Sequence, residues 1–320
     1  MKRAVAALVL VFVGCRVNVS LGVPEDVAQP SADASIAICP TTASDIEITA
    51  DPALGQLRAL AAASGRVVGA FSRPDGAGVV AWASSTGGAF TEVARIGADP
   101  VAIAFDGVHA YVACAASAAV HRAGVDGGPS AVATSQSAVS SVAVVSGGRA
   151  FWTRPVDDAL VAWDFGEGGP VAVGVVPRAQ AVVALNGSIY IAGDHRLYRL
   201  GPSDVVPTML SPVCGGGALA ASGDAIYCID GGTLHRIDPQ TGGHFALAGG
   251  IRGGRDVVTA RGRVFFRAEG TSGATVEAVP IDGVGGPTII AATELGSSAL
   301  ATDGCGLFYS IGSAVNRRAL

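Results

Sequence analysis

The chain is poor in the residues that most often carry chemistry or charge. Of its 320 residues only 15% are Asp, Glu, Lys or Arg and only 6% are aromatic, where a globular domain usually has about a quarter charged. Its 21 Lys and Arg against 26 Asp and Glu give a net charge of −5. They form no basic stripe, so nucleic-acid binding has no electrostatic footing. The five histidines are scattered. No H-E-x-x-H, G-x-S-x-G or C-x-x-C pattern occurs, so no metalloprotease helix, nucleophile elbow or redox dithiol is written into the sequence. Beyond the N-terminal segment no apolar run reaches eighteen residues, which leaves no candidate membrane-spanning helix.

What the chain has is apolar residues, at 50%, and 45 glycines. A disordered chain shows the opposite balance. The glycines keep no triplet period, which excludes collagen.

Residues 1–15 begin with the positive pair Lys2-Arg3, followed by an unbroken apolar run from Ala4 to Val13. That run is too short to span a bilayer and suits a signal peptide. It ends in Phe12-Val13-Gly14-Cys15, similar to a bacterial lipobox, with Phe where Leu is usual. Cys15 is the expected lipidation site, making the protein an exported, membrane-anchored lipoprotein of the cell envelope. Without acylation, cleavage before Pro24-Glu25-Asp26 would leave a soluble periplasmic or extracellular product. Residues 16–45 have no period and read as a flexible tether, and export puts the other cysteines where disulfides persist.

From there on the chain repeats. An apolar run, a Gly-containing turn and usually an aromatic residue recur seven times, as in RALAAASGRVVGAF from Arg58 and PVAIAFDGVHAYVA from Pro100. The turn glycines are Gly65, Gly107, Gly148, Gly187, Gly223, Gly262 and Gly304, spaced 42, 41, 39, 36, 39 and 42 residues apart. A period near 40 built of short strands is the footprint of a β-propeller. The second unit divides into strands at Val101–Phe105, Ala110–Ala113, Ala119–Ala123 and Ser130–Ala133, with hairpin chemistry at Asp106-Gly107 and Asp126-Gly127. No sustained 3.6-residue period is present, so the fold class is all-β. Three residues before each turn glycine the side chains are small, from Ala62 and Ala104 to Ala301, as innermost strands around an axis require. The last unit has three strands before Leu320, and Asp45–Thr49 belongs to no other unit. It is the expected closing strand, giving seven four-stranded antiparallel blades over residues 46–320.

Few residues stand out chemically. His121 and His235 occupy equivalent positions and read as packing features of the repeat; His109 and His244 read as surface groups. His195, in Gly193-Asp194-His195, is the best isolated candidate for a site. Asp75-Gly76, Asp126-Gly127 and Asp282-Gly283 read as turns, since calcium needs six to eight oxygen ligands that no segment supplies. Asp157-Asp158, the adjacent carboxylate pair, reads as an exposed loop tip. No metal, cofactor or catalytic residue is expected. In a propeller the starts of the innermost strands and the B–C loops meet at one face. Arg58, Gln180 and Arg255, with Asp157, Asp194, Asp230 and Asp256 beside them, are the candidate ligand-binding groups there.

The six cysteines suggest a framework. Cys214 and Cys228 flank the fifth unit's hairpin towards the funnel face, somewhat offset from direct opposition, and are a candidate pair. Cys39 and Cys305 both sit where the ends of the ring meet and are the expected staple. Cys114, in a buried strand, is the expected free thiol.

The units at Ile189–Leu200 and Thr233–Gly243 resemble blades of secreted bacterial propeller lipoproteins of uncharacterised type, with a looser likeness to quinoprotein-like and YVTN-type repeats. The resemblance covers roughly residues 46–320 and implies fold more than chemistry. The function expected is non-enzymatic: a lipid-anchored binding or scaffold protein with a protein or glycan partner, touching the membrane only through its anchor. The alternative is an enzyme, a lyase or quinoprotein-like oxidoreductase, with its site in the central funnel. The lipid anchor has a direct test. Cys15→Ala should move the protein out of the membrane fraction and abolish acyl labelling, and unchanged fractionation and labelling would refute it.

Overall fold

The computed structural model describes residues 45–320 apart from 128–130, 135, 146, 166–167, 216, 271–272, 295–298 and 313. The leader, Cys15, the tether and Cys39 lie outside the described residues.

Hairpin chemistry sets the repeat. All seven turn glycines have positive φ, between 58° at Gly223 and 96° at Gly107, which L-residues with a Cβ disfavour. Asn186, at φ 49°, precedes Gly187, at 74°, so both central residues of this two-residue turn are left-handed, as the twist of a tight hairpin demands. Each turn joins an innermost strand A to strand B, and strands C and D follow outward. In blade two these are Pro100–Phe105, His109–Cys114, Ala119–Gly124 and Ala131–Ala133, within a residue or so of the sequence reading.

Six such four-stranded antiparallel sheets form. The seventh takes its D strand from the other end of the chain: Ile46–Thr49 pairs antiparallel with Ala314–Ala319, Glu47 facing Asn316. The protein is a seven-bladed β-propeller, and the expected closing strand is in place. One feature was not anticipated. Gly88–Ala89, between strands C and D of blade one, pairs in parallel with Ile48 and Thr49, and the Phe90 N–H donates to the Thr49 carbonyl at 3.1 Å. The closing strand is thus held on both edges, by the last blade and the first, which removes an exposed edge.

The core is divided among the contacts between blades. Seven apolar clusters each combine side chains of two adjacent blades, such as Tyr111, Ala113 and Val120 of blade two with Val142 and Trp152 of blade three. The cluster at the closure joins Ile48 and Phe308 to Leu57 and Phe71 of blade one. Successive residues of strand A serve opposite neighbours: Leu219 packs toward blade four and Ala220 toward blade six.

A polar device recurs on the face carrying the A–B turns. Arg122, Arg199, Arg236 and Arg317 stand directly across the ladder from Tyr111, Tyr190, Tyr227 and Phe308. In blade two Asp106 accepts from the Val108 and His109 N–H groups at 2.8 and 2.6 Å and from the Tyr111 hydroxyl at 3.0 Å. Burial and that bond push the Tyr111 phenol up to about 12. His109, expected at the surface, is instead half-buried, with its Nε2 2.9 Å from Arg122. His121 Nε2 accepts from the Gly97 N–H at 2.9 Å, and burial lowers its pKa. It is a packing residue, as the repeat implies. Asp75 and Asp282 do brace their turns, accepting from the N–H groups of Ala77 and Val284 at 2.9 Å. Asp126 departs from this pattern: it pairs with Arg66 of blade one at 2.7 Å.

Cys214 and Cys228 form a disulfide with Cα atoms 5.7 Å apart. Cys114 is free and fully buried, and burial pushes its thiol up to about 12, so it is chemically quiet. Cys305 is disulfide-bonded; its expected partner, Cys39, lies outside the described residues.

The closure can be tested at one side chain. Ile48 has no solvent exposure, so Ile48→Ala should destabilise the fold by about 2–5 kcal/mol and lower the thermal midpoint. Glu47→Ala, on the exposed side of the same strand, should leave the midpoint almost unchanged. Equal midpoints for the two variants would show that the strand does not seal the ring.

Candidate functional site

Because every A strand starts on the same face, seven chain segments converge there. They enclose a cavity of about 540 Å³ lined by residues of all seven blades, from Arg58 and Asp99 through Ser141 and Ala181 to Gly217, Arg255 and Leu300. That volume lies in the range typical of small-ligand sites. Below it the channel narrows to about 290 Å³, walled by Ala62, Ala220, Thr259 and Ala301. These belong to the small-residue column seen in the sequence.

The polar groups of the mouth are unevenly placed. Arg58 of blade one and Asp99, at the entry to blade two, form an ion pair at 3.3 Å. Asp99 has φ 56°, a left-handed conformation that Asp tolerates, and its carbonyl accepts from the Ala115 N–H at 2.9 Å. Arg255 is exposed. Its neighbour Asp256 is half-buried, and its Oδ2 atom is enclosed without a hydrogen-bond donor. Burial raises the Asp256 pKa, against the pull of Arg267 and Arg255. Arg267 is only 3% exposed, so one of the two charges that oppose Asp256 lies inside the blade and the other at the mouth. On the opposite arc the groups are neutral. Ser140 donates to the Gln180 carbonyl at 2.9 Å, and the Ser141 hydroxyl accepts from the Val182 N–H at 3.2 Å.

Of the seven residues singled out in the sequence, Arg58, Arg255 and Asp256 line the cavity. Gln180 stands beside it, exposed, next to Gly217. Asp157, Asp194 and Asp230 occupy B–C loops farther out and form a rim. Asp157 is bonded to Ser137 and to Arg154 at 3.2 Å. Its neighbour Asp158 accepts from the Arg178 N–H at 2.7 Å. Asp194 faces Arg178 at 3.8 Å. His195, the isolated candidate, lies 3.1 Å from Asp230 through Nδ1 and clamps blade four to blade five. Burial alone would raise the Asp230 pKa, but His195 and the N–H groups of Gly215 and Cys214 outweigh it and hold it low. Asp99, Ser140 and Ser141 were not among the candidates. The signal for Asp99 was the Asp-Pro step that opens blade two.

Among the described residues no three His, Cys, Asp or Glu side chains are grouped to hold a metal, and none of the five histidines lines the cavity.

No family model matches the chain, and no curated protein matches its sequence. Its fold does match solved structures. Virginiamycin B lyase from Staphylococcus aureus, a catalytically inactive histidine-to-alanine form with quinupristin, superposes with a TM-score of 0.71 at 12% identity, covering 87% of this chain and 99% of that one. The WD40 repeats of RRP9 give 0.66 at 13% identity, with 88% and 99% covered. A chain of a mitotic checkpoint complex gives 0.63 at 12%, with 87% and 93% covered. At these identities the likeness is one of fold.

The rim clamp carries a pH signature. Asp230→Asn should cost about 1–2 kcal/mol at neutral pH, read as a lower thermal midpoint. A carboxyl held low in the native state stabilises above its unfolded pKa, and that stability is lost as the pH falls through the native value. The gap to wild type should therefore close in strong acid. No gap at neutral pH, or one that persists in acid, would refute the clamp.

Proposed function

We propose that this chain is a binding propeller, exported and lipid-anchored through Cys15, that presents its funnel mouth to a partner at the cell envelope. The observation that carries the reading is the mouth itself. It is a preformed cavity of ligand size whose polar groups come from several blades and are held by ion pairs and backbone bonds. It brings together no nucleophile–base pair and no metal-ligand set among the described residues. Fold neighbours in assemblies, such as the chain of the mitotic checkpoint complex, support a partner-binding role. The lyase neighbour points the other way, toward the enzyme alternative. That protein's inactive form lacks a histidine, whereas here all five histidines lie off the cavity lining, which favours binding over histidine-dependent elimination.

The test is capture through the mouth. Wild-type protein and an Arg58→Glu/Arg255→Glu double variant are immobilised and exposed to envelope extracts and soluble envelope glycans. A partner retained by wild type and lost by the equally folded variant supports the proposal. Identical capture by both, or cleavage of the captured molecule by wild type, would overturn it.

A further inference from the structure

Four carboxylates around the mouth are already engaged by basic partners, and one strong donor is not. Asp99 is held by Arg58, Asp157 by Arg154, Asp194 by Arg178, and Asp230 by His195 and two backbone N–H groups. Asp256 turns an enclosed oxygen inward, in the field of buried Arg267. Arg255 differs from all of these. It is exposed and lines the cavity; its charge pulls on the Asp256 carboxyl, but its N–H groups take part in none of the hydrogen bonds or ion pairs of the described residues. Across the ring the Gln180 side-chain amide is exposed and likewise without a partner among them. The Ser141 hydroxyl, which accepts from Val182, keeps its own proton to donate. The mouth therefore offers donors and asks for acceptors.

We infer that the mouth takes a ligand bearing a carboxylate, gripped by Arg255, with Gln180 and Ser141 donating to other oxygens of the same molecule. A guanidinium presents a planar fork that matches a carboxylate through two parallel bonds. One unpaired guanidinium suits a monoanion. A phosphate dianion would call for a second free cation, and the other arginine here, Arg58, is neutralised by Asp99. The inference rests on the mouth being the binding site proposed above. A carboxylate could come from a uronic acid or from a peptide C-terminus, and the test separates these sources.

The full chain is titrated calorimetrically with galacturonate and its methyl ester, and with triglycine and triglycinamide. One free acid should bind, its neutral counterpart at least about tenfold more weakly, and added salt should weaken the binding. Which acid binds identifies the source. Arg255→Gln should lower affinity about tenfold or more while changing the thermal midpoint little, because its N–H groups make no hydrogen bond or ion pair in the fold. Asp99→Asn releases Arg58 and should raise affinity severalfold; Asn accepts the left-handed backbone there. Equal binding of acid and neutral forms overturns the inference, as does full affinity in Arg255→Gln or no binding by any of the four probes. If a neutral probe binds and Ser141→Trp blocks it, the carboxylate inference falls while the mouth stands as a binding site. Loss of both requires partner capture, too, to be indifferent to the mouth.

Discussion

Each blade is a sheet with two apolar faces, and each face is covered only by the next blade. The seven clusters of apolar side chains are these shared faces, one per junction. Every junction therefore depends on its two neighbours, and the structure is satisfied only when the last blade meets the first. An open ring would expose the Phe71–Phe308–Ile48 face and one strand edge together, and exposed apolar area costs about 25 cal/mol per Å². The closing strand answers both problems: Ile48 fills the face while its backbone is paired on either side. Because the core lies between blades rather than on the axis, the axis itself is left open, and a cavity at the mouth follows from the architecture.

The two ends of that axis are built differently. At the A–B turn end, polar groups lock blades internally and to each other, as with Asp106 and Tyr111 or Arg66 and Asp126. The Nε atoms of Arg122, Arg199, Arg236 and Arg317, which stand opposite Tyr111, Tyr190, Tyr227 and Phe308, are enclosed without partners. For three of them such burial is tolerable because the guanidinium terminus bonds a partner, His109 for Arg122, Gln240 for Arg199 and Asp224 for Arg236, while the stem contributes apolar cover. At the mouth end the A strands begin in loops, which can vary without disturbing any junction. The mouth has ties of its own, the His195–Asp230 clamp and the Cys214–Cys228 disulfide, but its loops are where a scaffold can carry function.

Much of this was legible in the sequence because the repeat has strict physical requirements. Positive φ at the A–B turns forces glycine at a fixed place in each unit, so the period shows directly as Gly65, Gly107 and their successors. The closing strand was legible by elimination, Asp45–Thr49 being strand-like and claimed by no unit. The disulfide between Cys214 and Cys228 was a candidate on proximity alone, since two residues flanking one hairpin must lie near each other. The contact of Gly88–Ala89 with the closing strand left no trace in sequence, because backbone pairing of a glycine and an alanine carries no side-chain pattern. The site was half legible. Counting along the repeat located the mouth and found Arg58, Arg255 and Asp256. Which charges pair is a matter of distances between side chains, and that explains why Asp99 was passed over and why the partners of Asp157, Asp194 and Asp230, candidates in the facing loops, were not foreseen.

Charge is scarce in this chain, and its distribution is informative for that reason. Exposed ion pairs such as Arg58–Asp99 stabilise by roughly 0–1 kcal/mol, too little to explain why so many of the described acids at the mouth and rim face a basic partner. Pairing does accomplish something else: it fixes the direction of each side chain and cancels its field over the cavity. With Asp157, Asp194, Asp230 and Asp99 so engaged, one charged group lining the mouth keeps its donors out of every hydrogen bond and ion pair of the described residues. That group is Arg255. Its charge helps to hold down the pKa of the half-buried Asp256 carboxyl, but its N–H donors stay in solvent and bond nothing in the fold. Its placement makes physical sense when the missing anion is brought by something that enters the funnel.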